Sequence, residues 1–163
     1  MDYLWSPWRY RYVSKASPAE GCLFCRAAGS ANDRENYVLR RAAKNFVMLN
    51  AFPYTSGHLM IAPYAHAASL AEADPEALRE MTGLAQMAES ALRRLYRPDG
   101  FNVGMNIGAS AGAGVAGHIH LHLLPRWSGD VNFMTTIGET RVLPEALEVT
   151  YERLSREFAA NSA

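Results

Sequence analysis

The chain is poor in several features that would fix its class at once. Cysteine occurs only twice, as Cys22 and Cys25, which is too few for a disulfide-stapled scaffold. No stretch approaches the ~18 consecutive apolar residues of a membrane span. The opening Met1-Asp2-Tyr3-Leu4-Trp5-Ser6-Pro7-Trp8-Arg9 has no apolar core of signal-peptide length, so a cytoplasmic protein is expected. Net charge is absent as well, with 16 Lys plus Arg against 16 Asp plus Glu. No strong field therefore draws the chain to nucleic acid or to a membrane surface. Internal repeats and low-complexity linkers are lacking too. At 163 residues, 49% apolar and 20% charged, the chain reads as one globular domain over 1–163. Residues 1–20, rich in Trp, Tyr and Arg, form an aromatic, basic extension expected to pack on the domain or on a partner subunit.

Histidine is also scarce, and its placement is the informative feature. Three of the five histidines fall on alternate residues, His118-Ile119-His120-Leu121-His122. A strand sends every second side chain to one face, so the imidazoles share a surface with Ile119, Leu121 and Leu123 behind it. Histidine titrates near neutrality and is the commonest metal ligand. Two chemistries remain open on these residues alone. The three could hold a catalytic zinc with an activated water, or one neutral imidazole could attack phosphorus or a carbonyl. The preceding run from Asn106 to Gly117, nearly devoid of side-chain bulk, lets backbone N–H groups approach an anion. It contains a formal G-x-G-x-x-G from Gly112, but a histidine strand follows it where a dinucleotide fingerprint needs a helix.

Alternation and composition predict strands at Tyr37–Arg41, Phe46–Asn50, His58–Pro63, Phe101–Ile107 and His118–Leu124. Asp74-Pro75-Glu76 opens a helix over about 75–97, and a second starts near Pro144 with Leu147, Tyr151, Leu154 and Phe158 on one stripe. The pattern is that of an α+β fold with an antiparallel sheet. Cys22-x-x-Cys25 taken bare is redox-active, metal-binding or accidental. A closed zinc site needs two further ligands, for which His66 and a triad histidine are available. His58, after Gly57, either supports the triad or lies on the surface.

The run His118-Ile-His120-Leu-His122-Leu-Leu resembles the motif of the histidine triad superfamily, in which apolar residues alternate with three histidines. Cys22-x-x-Cys25, Asn50 with Gly57-His58, Pro63-x-x-His66 and Pro125-Arg126 extend the resemblance along nearly the whole chain. Leu4–Arg9, Gly104-Met105-Asn106 and Arg126–Phe133 are similar to the bacterial branch that contains diadenosine tetraphosphate phosphorylases. The resemblance implies a sheet-paired homodimer or tetramer that cleaves dinucleoside polyphosphates through a nucleotidyl-histidine intermediate, with inorganic phosphate as acceptor. His120 would be the nucleophile, His122 would contact the phosphate and leaving group, and His58 would support them. Asn50, Asn106, Gly112, Gly114 and Val115 would bind nucleotide and phosphate. Cys22, Cys25, His66 and His118 would hold a structural zinc, with no organic cofactor. His122 stands where the hexose-phosphate uridylyltransferases carry glutamine, which disfavours that activity. The branch of hydrolases lacking the zinc ligands typically carries glutamine near Asn106, so the resemblance gives less support to a plain hydrolase of dinucleoside triphosphates. Hydrolysis of dinucleoside polyphosphates or phosphoramidates, and a nucleotide-binding regulator without turnover, are the alternatives.

Overall fold

A computed structural model describes residues 21–131 and 145–160. The aromatic extension 1–20, Asn132-Phe133 and Pro144 lie outside the described residues. Five strands form one antiparallel sheet in the order β1-β2-β3-β5-β4: β1 Val38–Arg41, β2 Asn45–Leu49, β3 Leu59–Pro63, β4 Gly100–Gly104 and β5 Leu121–Arg126. Three helices accompany it: α1 Leu23–Gly29, α2 Pro75–Tyr96 and α3 Leu147–Ala160. The fold is α+β as expected, and no described helix is long and apolar enough to cross a membrane.

The two central strands are buried on both faces, so they read as continuous apolar runs. Alternation then decides which layer each residue joins. Val47, Leu49, Leu59, Ile61 and Leu123 meet α2 and α3 through Met81, Leu84, Ala88, Leu92, Leu154 and Phe158. Phe46, Met48, Met60 and Ala62 face the other way and pack on Phe24 and Ala27 of α1. The second layer is thin, and it is there that the site forms.

Helix α2 follows its local signals. Asp74 caps it by accepting the Glu76 N–H at 2.9 Å, and Pro75 occupies the first turn. Arg97, with φ +46°, ends it and donates its N–H to the Arg93 carbonyl. Helix α1 was not anticipated. Its capping position, Cys22, makes no side-chain cap bond. Its last carbonyls are instead closed from a distance by the Arg41 guanidinium of β1, which donates to Ala28 O at 3.0 Å, Ala27 O at 2.9 Å and Ser30 O at 2.8 Å.

Element bounds also shift. The expected strand His118–Leu124 begins as a ladder only at Leu121, because the Ile119 N–H donates to the loop carbonyl of Ala67 at 2.8 Å. His118 and His120 precede the ladder, and only His122 lies within it. The strand expected over Phe101–Ile107 stops at Gly104, which frees Asn106 for the site loop. Likewise the C-terminal helix starts at Leu147.

Gly57 turns the chain into β3 with φ +78°, and a Cβ there would sit 3.0 Å from Leu92 Cδ2 and 3.3 Å from Pro125 Cγ. A side chain meets both a left-handed backbone and a stiff proline ring. Gly57→Ala is expected to cost about 2 kcal/mol. The denaturant midpoint should fall with unchanged slope, and an unmoved midpoint would refute this reading.

Candidate active site and metal centre

The triad keeps its alternation although the ladder starts late. Ile119 goes to a small cluster with Ala67 and Ala73, and Leu123 goes to the main core. His118 and His120 are buried on the opposite face at 0% and 4% exposure. His122 sits opposite Met60 of β3 in the antiparallel register. The rings of His120 and His122 are 4.8 Å apart and nearly perpendicular.

Hydrogen bonds assign the tautomers in sequence. The Phe52 N–H donates to Asn50 Oδ1 at 2.9 Å, which turns the amide nitrogen of Asn50 toward His58. Asn50 Nδ2 then donates to His58 Nδ1 at 3.3 Å, and the Tyr54 N–H donates to the same atom at 3.2 Å. His58 Nδ1 is therefore an acceptor, so its proton rests on Nε2. From Nε2 it donates to His122 Nδ1 at 2.9 Å. His122 in turn carries its proton on Nε2. His120 is set the other way. Its Nδ1–H donates to the His118 carbonyl at 2.8 Å, which leaves a lone pair on Nε2.

Burial keeps these rings neutral, since an imidazolium loses its hydration there. It pushes His58 down to about 3, helped by the proximity of His122 and His120. It pushes His122 down to about 4, helped by His120. Burial also lowers His120, partly opposed by its bond to the His118 carbonyl. In the unfolded chain these groups titrate near 6.5. Between about pH 6.5 and 4 the unfolded chain binds protons that the folded one refuses. Stability from His58 and His122 is thus complete above 6.5 and is lost as pH falls, by up to about 1.4 kcal/mol per pH unit for each ring. The Cε1–H resonances of both should stay unshifted from pH 8 to 5.5; a titration centred on 6.5 in either would contradict the buried, neutral pair.

A cavity of about 340 Å³ opens beside the triad. His120, His122, Asn50, Asn106, Gly112, Gly114 and Val115 line it, so all five nucleotide-site residues expected from the resemblance meet there. His58 stands behind His122, outside the lining. The glycine-rich run supplies one wall through a single 3-10 turn at Ala109–Ala111, with Gly108 at φ +81° and Gly112 at φ +87°. An apolar wall of Leu23, Phe24, Met48 and Met60 was not foreseen. Met48 and Met60 read as core because both faces of their strands are apolar. Phe24, placed between the two cysteines, was the only available hint.

A second cluster lies at the other end of the triad. Cys22 Sγ is 3.3 Å from His118 Nδ1, Cys25 Sγ is 3.3 Å from His66 Nδ1 and 3.7 Å from His118 Nδ1. All four ligand atoms lie within 4.8 Å of one another. His118 Nε2–H donates to the Pro63 carbonyl at 2.9 Å, which turns the Nδ1 lone pair toward the sulfurs. The three sulfur–nitrogen contacts of 3.3–3.7 Å are close to the edges of a tetrahedron with bonds of about 2.3 Å to sulfur and about 2.0 Å to nitrogen. The cluster is one that could bind a metal. The three triad rings do not converge on a common ion, because each Nδ1 has a different partner: the cysteines, the His118 carbonyl and His58. That arrangement speaks against a catalytic three-histidine zinc.

Comparison with known proteins agrees with this layout. A family model described as HIT domain matches residues 33–129. An AP-4-A phosphorylase of Mycobacterium tuberculosis (strain ATCC 25618 / H37Rv) is 37% identical over 169 residues, covering 98% of this chain and 85% of the relative. Among solved structures, a Zn-bound histidine triad family protein from Mycobacterium smegmatis is similar with TM-score 0.69 at 29% identity, over 86% of this chain and 94% of that one. A hypothetical histidine triad nucleotide-binding protein from Sulfolobus tokodaii strain7 superposes with TM-score 0.67 at 25% identity, over 85% of this chain and 93% of that one.

Proposed function

The chain belongs to the HIT domain family, and from that premise we propose that it splits dinucleoside polyphosphates through a nucleotidyl group carried on His120. It is an enzyme of the nucleotidyltransferase or hydrolase type. The observation that carries the finer reading is the orientation of His120. Its Nδ1–H is engaged by the His118 carbonyl, and its ring lines the cavity where the glycine loop would hold phosphate.

In the first step the Nε2 lone pair of His120 attacks the α-phosphorus, and the bond to the bridging oxygen breaks toward the rest of the polyphosphate. The ring then carries positive charge, and the His118 carbonyl accepting from Nδ1 stabilises it. His122 Nε2–H donates a hydrogen bond to the departing phosphate oxygens. It is held in that tautomer by His58 and, behind it, by Asn50. The leaving polyphosphate needs no proton of its own, so positioning and electrostatics suffice. In the second step a phosphate oxygen attacks the nucleotidyl phosphorus and His120 leaves as the neutral base. Diadenosine tetraphosphate plus phosphate would thus give ATP and then ADP, the reaction named for the Mycobacterium tuberculosis relative. Asn50, Asn106, Gly112, Gly114 and Val115 would hold ribose and phosphates, with the base against Leu23, Phe24, Met48 and Met60.

Cys22, Cys25, His66 and His118 would hold zinc with a structural role, since four protein ligands leave no position open for water. The Zn-bound Mycobacterium smegmatis structure supports that metal. Pairing of chains into a homodimer or tetramer is supported by β4, which ends the sheet and leaves Val103 53% exposed.

Product analysis by chromatography tests the acceptor. ADP plus ATP formed from diadenosine tetraphosphate only when millimolar phosphate is present is the expected result. AMP plus ATP regardless of phosphate would replace phosphorolysis with hydrolysis by the same histidine.

A further inference from the structure

Helix α1 serves two sites at once. Cys22 and Cys25 belong to the metal cluster, while Leu23, Phe24 and Arg26, interleaved with them, line the nucleotide cavity. Phe24 is buried to 1% exposure, with its ring 5.2 Å from that of His118 and 4.7 Å from that of His120. A seven-residue helix is too short to hold itself together in water. Its anchors are the buried Phe24 and Ala27, the Arg41 bonds at its C-terminal end and the metal cluster at its N-terminal end. Whatever changes the cluster therefore changes the cavity wall.

The cysteines are open to such a change. Both are free and half-exposed, and His66 beside them is exposed. They stand three residues apart across the first turn, closed by the Arg26 N–H donating to the Cys22 carbonyl at 3.0 Å. The Cα atoms of residues three apart on a helical turn lie about 5 Å from each other, within the Cα span of a disulfide.

We propose that Cys22 and Cys25 form a hydroperoxide-sensitive modification site whose oxidation to a disulfide expels the metal and loosens the α1 wall of the nucleotide cavity. This rests on the metal reading given above. One thiolate attacks a peroxide oxygen, giving a sulfenic acid and, with a proton, water. The second thiolate attacks the sulfenic sulfur, forming the S–S bond and releasing hydroxide, which takes up a proton as a second water. Two electrons pass from sulfur to peroxide. Only His66 and His118 then remain as ligands, too few to retain zinc. Because coupling is reciprocal, bound nucleotide should also tighten metal binding by the same factor.

The test uses the full chain, reduced and loaded with zinc, and treated with stoichiometric hydrogen peroxide. Zinc release is followed with a chromogenic chelator, thiol state by intact mass, and affinity for AMP by calorimetry. The expected result is one zinc released per chain with loss of two hydrogens, and AMP binding weakened about tenfold, a typical coupling. Reductant with added zinc should restore it. The far-UV spectrum should stay unchanged, because the sheet, α2 and α3 share a core without α1. Thiols that resist peroxide while zinc stays bound would overturn the modification site. Zinc release with AMP affinity unmoved would overturn the coupling, and global unfolding would overturn its local character. A reduced chain that binds no zinc would instead remove the metal reading and this proposal with it.

Discussion

His120→Ala is expected to abolish turnover of diadenosine tetraphosphate, with kcat falling roughly 10⁴-fold or more while the fold persists. Loss of a covalent nucleophile leaves only binding and oxyanion stabilisation, hence a fall of that order. No neighbour can take over its task. His122 Nδ1 is occupied by His58, and its Nε2 carries the proton, while His118 Nδ1 faces the cysteines. The substitution opens space onto a cavity that already exists, so water fills it and stability changes little. His120→Asn, with an amide able to donate to the His118 carbonyl, serves as the fold control. KM should stay within a few-fold, because the other residues lining the cavity are unchanged. Residual kcat within tenfold of the parent in both variants would assign the nucleophile elsewhere.

Cys25→Ser removes a proposed zinc ligand whose sulfur is near both His66 and His118. Structural zinc in small sites contributes apparent binding free energies of about 10–16 kcal/mol. Losing one thiolate therefore weakens metal binding by orders of magnitude. Because the proposed metal would bind the folded chain, that loss should appear as stability through mass action, and Tm should drop by about 10 °C or more. A chelator should lower the Tm of the parent by the same amount and leave that of Cys25→Ser unmoved. Equal Tm values for parent and variant, both insensitive to chelator, would remove the metal from the account.

Legibility of the fold followed where the stabilising contacts lie. Helix α2 carries its start and stop within its own residues, Asp74-Pro75 and Arg97-Pro98, and was placed within a residue of its limits. Helix α1 carries none. Its C-terminal cap comes from Arg41 on β1, and its N-terminal anchor from side chains about 40 and 90 residues away. No local pattern can announce a helix held that way. The late start of β5 has the same origin, since the Ile119 N–H pairs with a loop carbonyl at Ala67, a partner no alternation reveals.

The site was legible wherever polar residues have no other reason for their position. Three alternate histidines in an apolar run, the cysteine pair and the bulk-free loop each stand out against their surroundings, and all of them gather on one face. The apolar half was hidden because Met48, Met60 and Phe24 look like core, and are core on every side but one. Proton placement was hidden as well. It depends on the Phe52 and Tyr54 N–H groups in the loop before His58, whose directions no residue pattern reveals.

The most direct measurement of the central claim is capture of the intermediate. Mixing the protein with diadenosine tetraphosphate in the absence of phosphate, quenching in alkali and mapping the modified peptide by mass spectrometry should find one adenylyl group on His120. Adding phosphate before the quench should discharge it as ADP. A chain left unmodified although ATP has been released in the absence of phosphate, or an adenylyl group on any residue other than His120, would contradict the account.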